Sequence, residues 1–412
     1  MTSSSILLQQ LPLCKYCTQR EGLKTSGKRQ LDVSCFLCEG TLEGLSSICE
    51  EILEKLADYE FETFLIGASI PQNMLDKEDE LRSKLKIKGV EGIKSQITRV
   101  LSKKVASTLK KRVDYTRPDI TVLVSLRDNI ISITPRSLWI SANYVKQIRG
   151  IPQRSTVCEI CSGLGCAQCN YVGKSVNSVQ GIITAFLLKV FQAESCNFVW
   201  LGSEDENSLV KGSGRPFYSE IVKPKKRKMP APFLRSKTKA GKNRRTYNLD
   251  GVKISGIEIL DKKVTNVPQF EIVAEIHLQA KTDAEVLNQE QVRTIESNFS
   301  NRWASVRLSR KMRTVQKRLE SVKVKTSEDG KSLVLLVKCD GGIPLRKLVN
   351  GRDNSVEPNL SAFLSSYEIN NADPFDILAV KIKQLDYGSV NRPLNEALDS
   401  ELPEADNLEL QT

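Results

Sequence analysis

Two groups of residues in this 412-residue chain have types and spacing suited to chemistry. The first lies within residues 195–222, SCNFVWLGSEDENSLVKGSGRPFYSEIV. Phe198, Val199, Trp200 and Leu201 form an apolar run, and Ser203, Glu204, Asp205, Glu206 and Asn207 an acidic turn. A glycine-rich basic loop follows in Lys211, Gly212, Ser213, Gly214, Arg215, Pro216 and Phe217, and then an apolar-rich strand. A carboxylate delivered at the end of an apolar segment and faced by a nearby arginine can be held ionised in a half-buried cleft. A solvated acidic loop between two strands fits the same pattern, and the stretch alone leaves both readings open.

The second group is cysteine. Of 11 cysteines, eight fall in four Cys-x-x-Cys pairs, and with no export signal that pattern reads as metal binding rather than disulfides. Cys14, Cys17, Cys35 and Cys38 form two knuckles separated by 17 residues, the spacing of a structural zinc ribbon. Four thiolates close a tetrahedron and leave no open position for catalysis. Gly40 follows the second knuckle, where a tight turn needs a residue without Cβ. Cys158, Cys161, Cys166 and Cys169 sit among Gly163, Gly165 and Gly173, as a second zinc site or as a reduced, metal-free loop at a domain junction. The single histidine, His277, lies in an apolar alternating run and reads as a satisfied strand residue, which argues against histidine-based hydrolysis.

The length suggests two or three domains. Hydrophobic residues make up 40% of the chain and the mean hydropathy is −0.28, enough to bury cores. No run approaches the roughly 20 apolar residues of a membrane helix, and residues 1–13 lack the basic start of a signal peptide. The chain reads as soluble and cytosolic. A net charge of +12 favours a polyanionic partner, most simply nucleic acid. Aromatics at 6% exclude base stacking as the main mode of contact throughout.

These groups must be positioned by regular elements. Residues 43–59 read as a helix with Ile48, Ile52, Leu53 and Leu56 on one face, and residues 61–70 as a strand. Residues 92–112 read as a longer helix, with Ile93, Ile97, Val100, Leu101 and Leu109 inward and a basic outer face that is either solvated or in contact with RNA. Ile120, Val122, Val124 and Leu126 alternate, Asp128 and Asn129 turn, and Ile131 and Ile133 resume. Residues 136–154 read as a polar and basic segment closing this region. A helix is expected over residues 178–196, then the acidic turn, then a flexible basic insertion in residues 223–228 and 235–245, suited to phosphates or to nuclear import. Strands are expected over 252–260, 270–278, 333–339 and 377–385, and a helix over 288–298. Residues 303–318 are the densest basic stretch, with Arg307, Arg310, Lys311, Arg313, Lys317 and Arg318. Such lengths fit an α+β chain with a mixed, mainly antiparallel sheet flanked by helices.

Taken together, SVQGIITAFLLKVFQAESCNF and GSEDENSLVKGSGRPFYSEI resemble the core motif of the THUMP-bearing tRNA pseudouridine synthases of archaea and eukaryotes, which act on uridines 54 and 55 of the TΨC arm. CEICSGLGCAQCNYVGK is similar to the cysteine cluster of the archaeal members, FETFLIGASIP and RPDITVLV to their THUMP-containing accessory domain, and RWASVRLSRKMRTVQKR to an element of their catalytic domain. The resemblance covers nearly the whole chain. It implies Asp205 as the catalytic aspartate, with Glu204 and Glu206 as bystanders, and Arg215, Arg346 and the stacking aromatic Phe270 as substrate-binding residues. No cofactor is implied for catalysis, and the partner implied is tRNA, with neither a membrane nor an obligatory protein.

The expected organisation is a zinc-binding and THUMP accessory domain over residues 1–154, a cysteine-rich junction over 155–174 and a catalytic domain over 175–412. The chain departs from the family pattern where Ser203 replaces an arginine, Asn207 an aspartate, Pro344 a tyrosine and Asn350 a histidine. These departures motivate an alternative, a tRNA-binding protein or chaperone with weakened or lost catalysis. A THUMP-linked methyltransferase or thiouridine synthetase is a weaker third reading, since neither enzyme's glycine-rich loop is evident.

Overall fold

The computed structural model describes residues 11–23, 34–169, 171, 173–229, 246–281, 287–308, 313–327, 332–368 and 375–384. The chain divides into two compact units. One takes residues 1–137 together with 191–193 and 222–228, and the other takes 138–190, 194–221 and 229–412.

In the first unit, α1 (Lys15–Arg20) and α2 (Thr41–Leu56) carry and follow the first cysteine set. Gly40, in the left-handed region at φ 85°, turns the chain from Cys38 into α2. Strands β1 (Thr63–Ser69), β2 (Arg112–Val113), β3 (Ile120–Ser125) and β4 (Ile130–Pro135) form a sheet in the order β2-β1-β3-β4, with α3 (Gln72–Leu85) and α4 (Ile93–Leu109) in the connections. Period-2 alternation places Phe64, Ile66 and Ala68 of β1 and Ile120, Val122 and Val124 of β3 in the core. Ile93, Ile97, Leu101 and Val105 of α4 join them. α3 escapes periodicity reading because one of its inward residues is an acid. Glu78 is buried, accepts the Ile93 N–H at 2.9 Å, and pairs with Arg20 at 2.9 Å.

The basic stretch at residues 223–228, expected as a flexible insertion, is pinned to this unit. Lys225 lies 3.0 Å from Asp58, Lys226 3.8 Å from Glu60 and Lys228 3.3 Å from Glu62. Arg227 is buried, donates to the Arg136 carbonyl at 2.7 Å and faces Asp119 at 3.4 Å. Acids at alternate positions 58, 60 and 62 match these cations, and that long-range complementarity is invisible to a count of local charge. Residues 235–245 lie outside the described residues.

Among the described residues, the second unit is built on a twelve-stranded sheet. Its elements in chain order are β5 (Leu138–Lys146), α5 (Val179–Phe191, whose last residue belongs to the first unit), β6 (Ser195–Trp200), β7 (Val210–Val222), β8 (Thr246–Leu249), β9 (Val252–Leu260), β10 (Gln269–Ala280), α6 (Gln289–Phe299), β11 (Arg302–Leu308), β12 (Arg313–Thr326), β13 (Ser332–Asp340), α7 (Leu345–Asn350), β14 (Val356–Glu357), β15 (Tyr367–Glu368) and β16 (Phe375–Gln384). The order is β14-β11-β12-β13-β10-β16-β7-β5-β9-β8, with β15 on β10 and β6 on β7. Pairing is antiparallel along β5, β7 and β9 and from β10 to β13, and parallel where β16 meets β7. The mixed, mainly antiparallel sheet expected from sequence is present. α6 starts on a capping box, Asn288 and Gln291 each accepting the other's N–H.

Two expectations are corrected. Residues 136–154 are not merely a polar closing segment, because they contain β5, which lies between β7 and β9 and buries Leu138, Trp139, Ile140, Ala142, Tyr144 and Lys146. The arginines on either side of it, Arg136 and Arg149, mask a regular alternation. Residues 211–217 are not a loop but the first half of β7. Gly212 and Gly214 allow close backbone approach there: a Cβ on the first would lie 2.5 Å from the Leu378 carbonyl oxygen, and on the second 2.6 Å from that of Tyr144. The 303–318 stretch forms the β11–β12 hairpin, with Arg310 and Lys311 outside the described residues.

Candidate active site

The acidic turn joins β6 to β7 and rests on an aromatic cluster. Trp200 packs edge-on to Tyr144 at 5.6 Å between centroids and stacks on Phe198 at 5.0 Å, and Phe217 lies 5.6 Å from Trp200. Above it, neighbouring acids point in different directions. The Glu204 side chain is fully buried, accepts the Tyr144 hydroxyl at 2.5 Å and lies 3.1 Å from Arg215 Nε. That last approach is electrostatic rather than a directed hydrogen bond. Burial pushes the Glu204 carboxyl up, and Arg215 and Tyr144 oppose it. Burial and the adjacent Glu204 push the Tyr144 phenol well up, so it stays a donor.

Asp205 faces outward, with its side chain 44% exposed. Arg346, from α7, donates to its Oδ2 from Nε at 2.9 Å and from Nη2 at 2.6 Å. The Arg346 guanidinium also lies 4.2 Å from the centroid of the Phe375 ring. Asp205 and Arg346, 141 residues apart, are thus brought into direct contact. Arg215 is not at the surface. It is 1% exposed and donates to the Leu201 carbonyl at 2.7 Å, beneath the turn. Phe270, at the start of β10, reaches the Gly202 end of the turn: a Cβ on Gly202 would meet its ring at 3.2 Å, and one on Gly341 at 2.2 Å.

The backbone of the turn is held by residues that sequence reasoning passed over. Lys146, fully buried at the end of β5, donates to the carbonyls of Ile151 at 2.7 Å, Asp205 at 3.1 Å and Glu206 at 2.7 Å. An ammonium has three donors, and here each has an acceptor. Burial pulls the Lys146 pKa down, while Glu204, Asp205 and Glu206 push it back up. Gln153 donates to the Tyr144 hydroxyl at 2.9 Å and faces the Gly202 carbonyl at 3.4 Å. Arg149 donates to the Asn207 carbonyl at 2.5 Å and forks onto Asp376 at 2.7 and 3.0 Å. Asp376 also accepts the Leu209 N–H at 2.9 Å, and Arg149, Leu209 and Lys211 hold its carboxyl below the usual range against the effect of burial. The one available sequence signal was the phase of LWISANYVK, in which Tyr144 and Lys146 share the buried positions. His277 is paired with Glu275 at 2.9 Å within β10.

The cysteine sets fit zinc. A tetrahedron with Zn–S bonds of about 2.3 Å has edges of about 3.8 Å. Cys14 and Cys38 sulfurs are 3.6 Å apart, Cys158 and Cys166 3.9 Å, Cys161 and Cys169 3.8 Å, and Cys166 and Cys169 3.8 Å. In each tetrad all four sulfurs lie within 4.8 Å of one another. Backbone N–H groups point at them, from Gly165 to Cys161 at 3.1 Å and from Gly173 to Cys169 at 3.2 Å. A fully cysteine-ligated zinc would cross-link each loop and carry no reacting group.

Among the described residues no helix is long and apolar enough to cross a membrane. Residues 48–125 match the family model for the archaeal Pus10 THUMP domain, and residues 139–386 the model for the Pus10 C-terminal region. The tRNA pseudouridine synthase Pus10 of Nitrosopumilus maritimus is 30% identical over 374 residues, covering 87% of this chain and 92% of that protein. The protein of the same name from Cenarchaeum symbiosum is 28% identical over 354 residues, covering 85% and 82%, and that of Archaeoglobus fulgidus 27% identical over 376, covering 88% and 99%. The second family model begins one residue after β5 does, and it contains Asp205, Arg346 and every residue that clamps the turn. The chain therefore belongs to the Pus10 family of tRNA pseudouridine synthases.

Proposed function

We propose that this chain isomerises uridine 54, uridine 55 or both in the TΨC loop of tRNA to pseudouridine, with Asp205 as the nucleophile, working in the cytoplasm. The observation that carries this reading is the Asp205–Arg346 pair: a half-exposed carboxylate fixed through Oδ2 on a turn whose backbone is held throughout. A carboxylate fixed in place before the substrate arrives has little reorganisation left to make. The target uridine leaves its stack to reach the turn. Asp205 bonds to ribose C1′ as the bond from C1′ to uracil N1 breaks, the ring turns, C5 bonds to C1′ as the carboxylate leaves it, and the C5 proton is lost as N1 gains one. No redox or nucleotide cofactor enters this balance.

In this reading Arg346 orients Asp205, Phe270 sets the floor at the Gly202 end, and Arg215 positions the turn through Glu204 and Leu201. The THUMP-containing unit grips the tRNA body through phosphates and shape. We place the boundary between accessory and catalytic parts just before β5, where the compact units divide and the family model begins. Zinc in both cysteine sets is structural.

The test is direct. Unmodified tRNA transcript is incubated with the protein and mapped for pseudouridine, beside Asp205→Ala. The wild type is expected to convert one or both target uridines, and the variant to bind tRNA without product. Product from Asp205→Ala at the wild-type rate removes Asp205 from the mechanism. Binding without product by the wild type itself supports the alternative, a tRNA-binding protein that has lost catalysis with the changes at Ser203 and Pro344.

A further inference from the structure

The loop of the second cysteine set, Cys158–Cys169, exposes residues that a metal site alone does not require. Its interior is filled by sulfur and backbone: a Cβ on Gly173 would lie 2.3 Å from the Gly163 carbonyl oxygen, and one on Gly165 2.8 Å from that of Tyr171. No space remains inside for larger side chains, so Ile160, Leu164 and Tyr171 stand outward, 71%, 93% and 78% exposed. Apolar side chains held in water are a cost that contact with a partner removes.

Three observations identify that partner's chemistry. First, the stem of the knuckle grows from the clamp on the catalytic turn. Gly150 donates to the Glu206 carbonyl at 3.0 Å, Ile151 accepts from Lys146, and Gln153 faces Gly202. The chain then pairs Ser155 with Ser178 at 2.7 Å and closes the stem at the Val157–Lys174 bridge. The stem of this loop is therefore joined directly to the turn that carries Asp205. Second, the exposed charges flanking the tip are Arg154 and Lys174, and Glu159 is the single acid in residues 154–177, a balance that favours a polyanion. Third, a tyrosine ring beside aliphatic side chains offers flat apolar surface, which suits the faces of unpaired bases and not the phosphate-lined outside of a duplex.

The geometry points to a nucleobase platform: Ile160, Leu164 and Tyr171 receive unstacked bases of the same RNA whose target nucleotide lies at Asp205. This inference rests on the tRNA reading above and extends it to a second contact outside the reacting centre. Because the tip is fixed by its cysteine tetrad, the platform is formed before RNA arrives. It adds affinity and leaves the chemical step unchanged.

The test uses the full chain, unmodified tRNA transcript, and the variants Leu164→Ser and Leu164→Ser/Tyr171→Ala. Binding is measured directly over a range of salt, turnover at saturating tRNA is followed in parallel, and sedimentation reports the oligomeric state. The double variant is expected to bind about 10-fold more weakly, the order expected for loss of a stacked base. Its salt slope is expected to match the wild type, since no phosphate contact is removed, and its rate at saturation is expected to be unchanged. Leu164→Ser, at a side chain almost wholly in water, is expected to keep the fold and lose about 3-fold. Affinity within twofold of the wild type for both variants overturns the platform. So does a wild-type dimer that the variants split with RNA affinity unchanged, since the tip would then belong to a second copy. If the wild type binds transcript but forms no pseudouridine, the activity reading fails while the affinity comparison still decides the platform. If it binds no transcript, both fall.

Discussion

Glu204 and Asp205 are adjacent acids with opposite fates. One is enclosed by Tyr144 and Arg215, and the other is presented to solvent with Arg346 across its Oδ2. Burying the first orients the second, because a short turn cannot aim consecutive side chains the same way. Lys146 has the same kind of role for the backbone, and Lys146→Met keeps its length while removing its donors. If Asp205 is the nucleophile, turnover is expected to fall about 100-fold with tRNA affinity within twofold, since small misplacements of a reacting group have effects of that order. Single-turnover rates beside direct binding check this, and an unchanged rate would show that Lys146 does not position Asp205. Asp205 and Arg346 were each legible in the sequence, through motif resemblance, although 141 residues separate them and their contact was not. Glu204 was passed over as a bystander and Arg215 read as a substrate contact. Nothing local distinguishes three acids in a row, and what separates them is which one meets a strand 60 residues earlier.

The strands set the width of the site. Gly341, just beyond β13, donates its N–H to the Phe270 carbonyl at 2.7 Å and lies beneath the Phe270 ring. A methyl there would overlap the ring, so Gly341→Ala is expected to displace Phe270 and destabilise the fold by about 1–3 kcal/mol, the usual range for overpacking. Denaturant unfolding of variant and wild type measures it. A midpoint equal to the wild type's would show that the ring has room to yield. At this scale the amphipathic helices and alternating strands were legible to within a few residues, as at residues 252–260, where expected and observed strand coincide. Three of those that were not show why. α3 places an acid where periodicity looks for an apolar residue, β5 is flanked by charges that make it read as polar, and β7 contains glycines that read as a loop. In each case a tertiary contact supplies what local composition lacks: Arg20 for Glu78, three carbonyls for Lys146, and close backbone neighbours for Gly212 and Gly214.

For the molecule as a whole, the cysteine tetrads were the most legible feature, because four thiols at knuckle spacing have few other uses. Purified protein is expected to carry about two zinc equivalents, one per tetrad. Cys35→Ser is expected to lose one and to lower the melting temperature, since metal binding in such sites is folding free energy, and Cys166→Ser to lose the other. Metal analysis of the three proteins checks this, and full zinc content in either variant would show that its tetrad is not the site. The elements and motifs of the sequence suggest a break after residue 154, and by contacts the two compact units divide before Leu138. The first unit also takes residues 191–193 and 222–228 from later in the chain, among them the cations that neutralise Asp58, Glu60, Glu62 and Asp119. During synthesis on a ribosome, the N-terminal unit emerges first but cannot be finished until Lys228 has cleared the exit tunnel. By then the nascent chain has already delivered β5, β6, β7 and Asp205, so most of the acidic turn is made before the first unit can close.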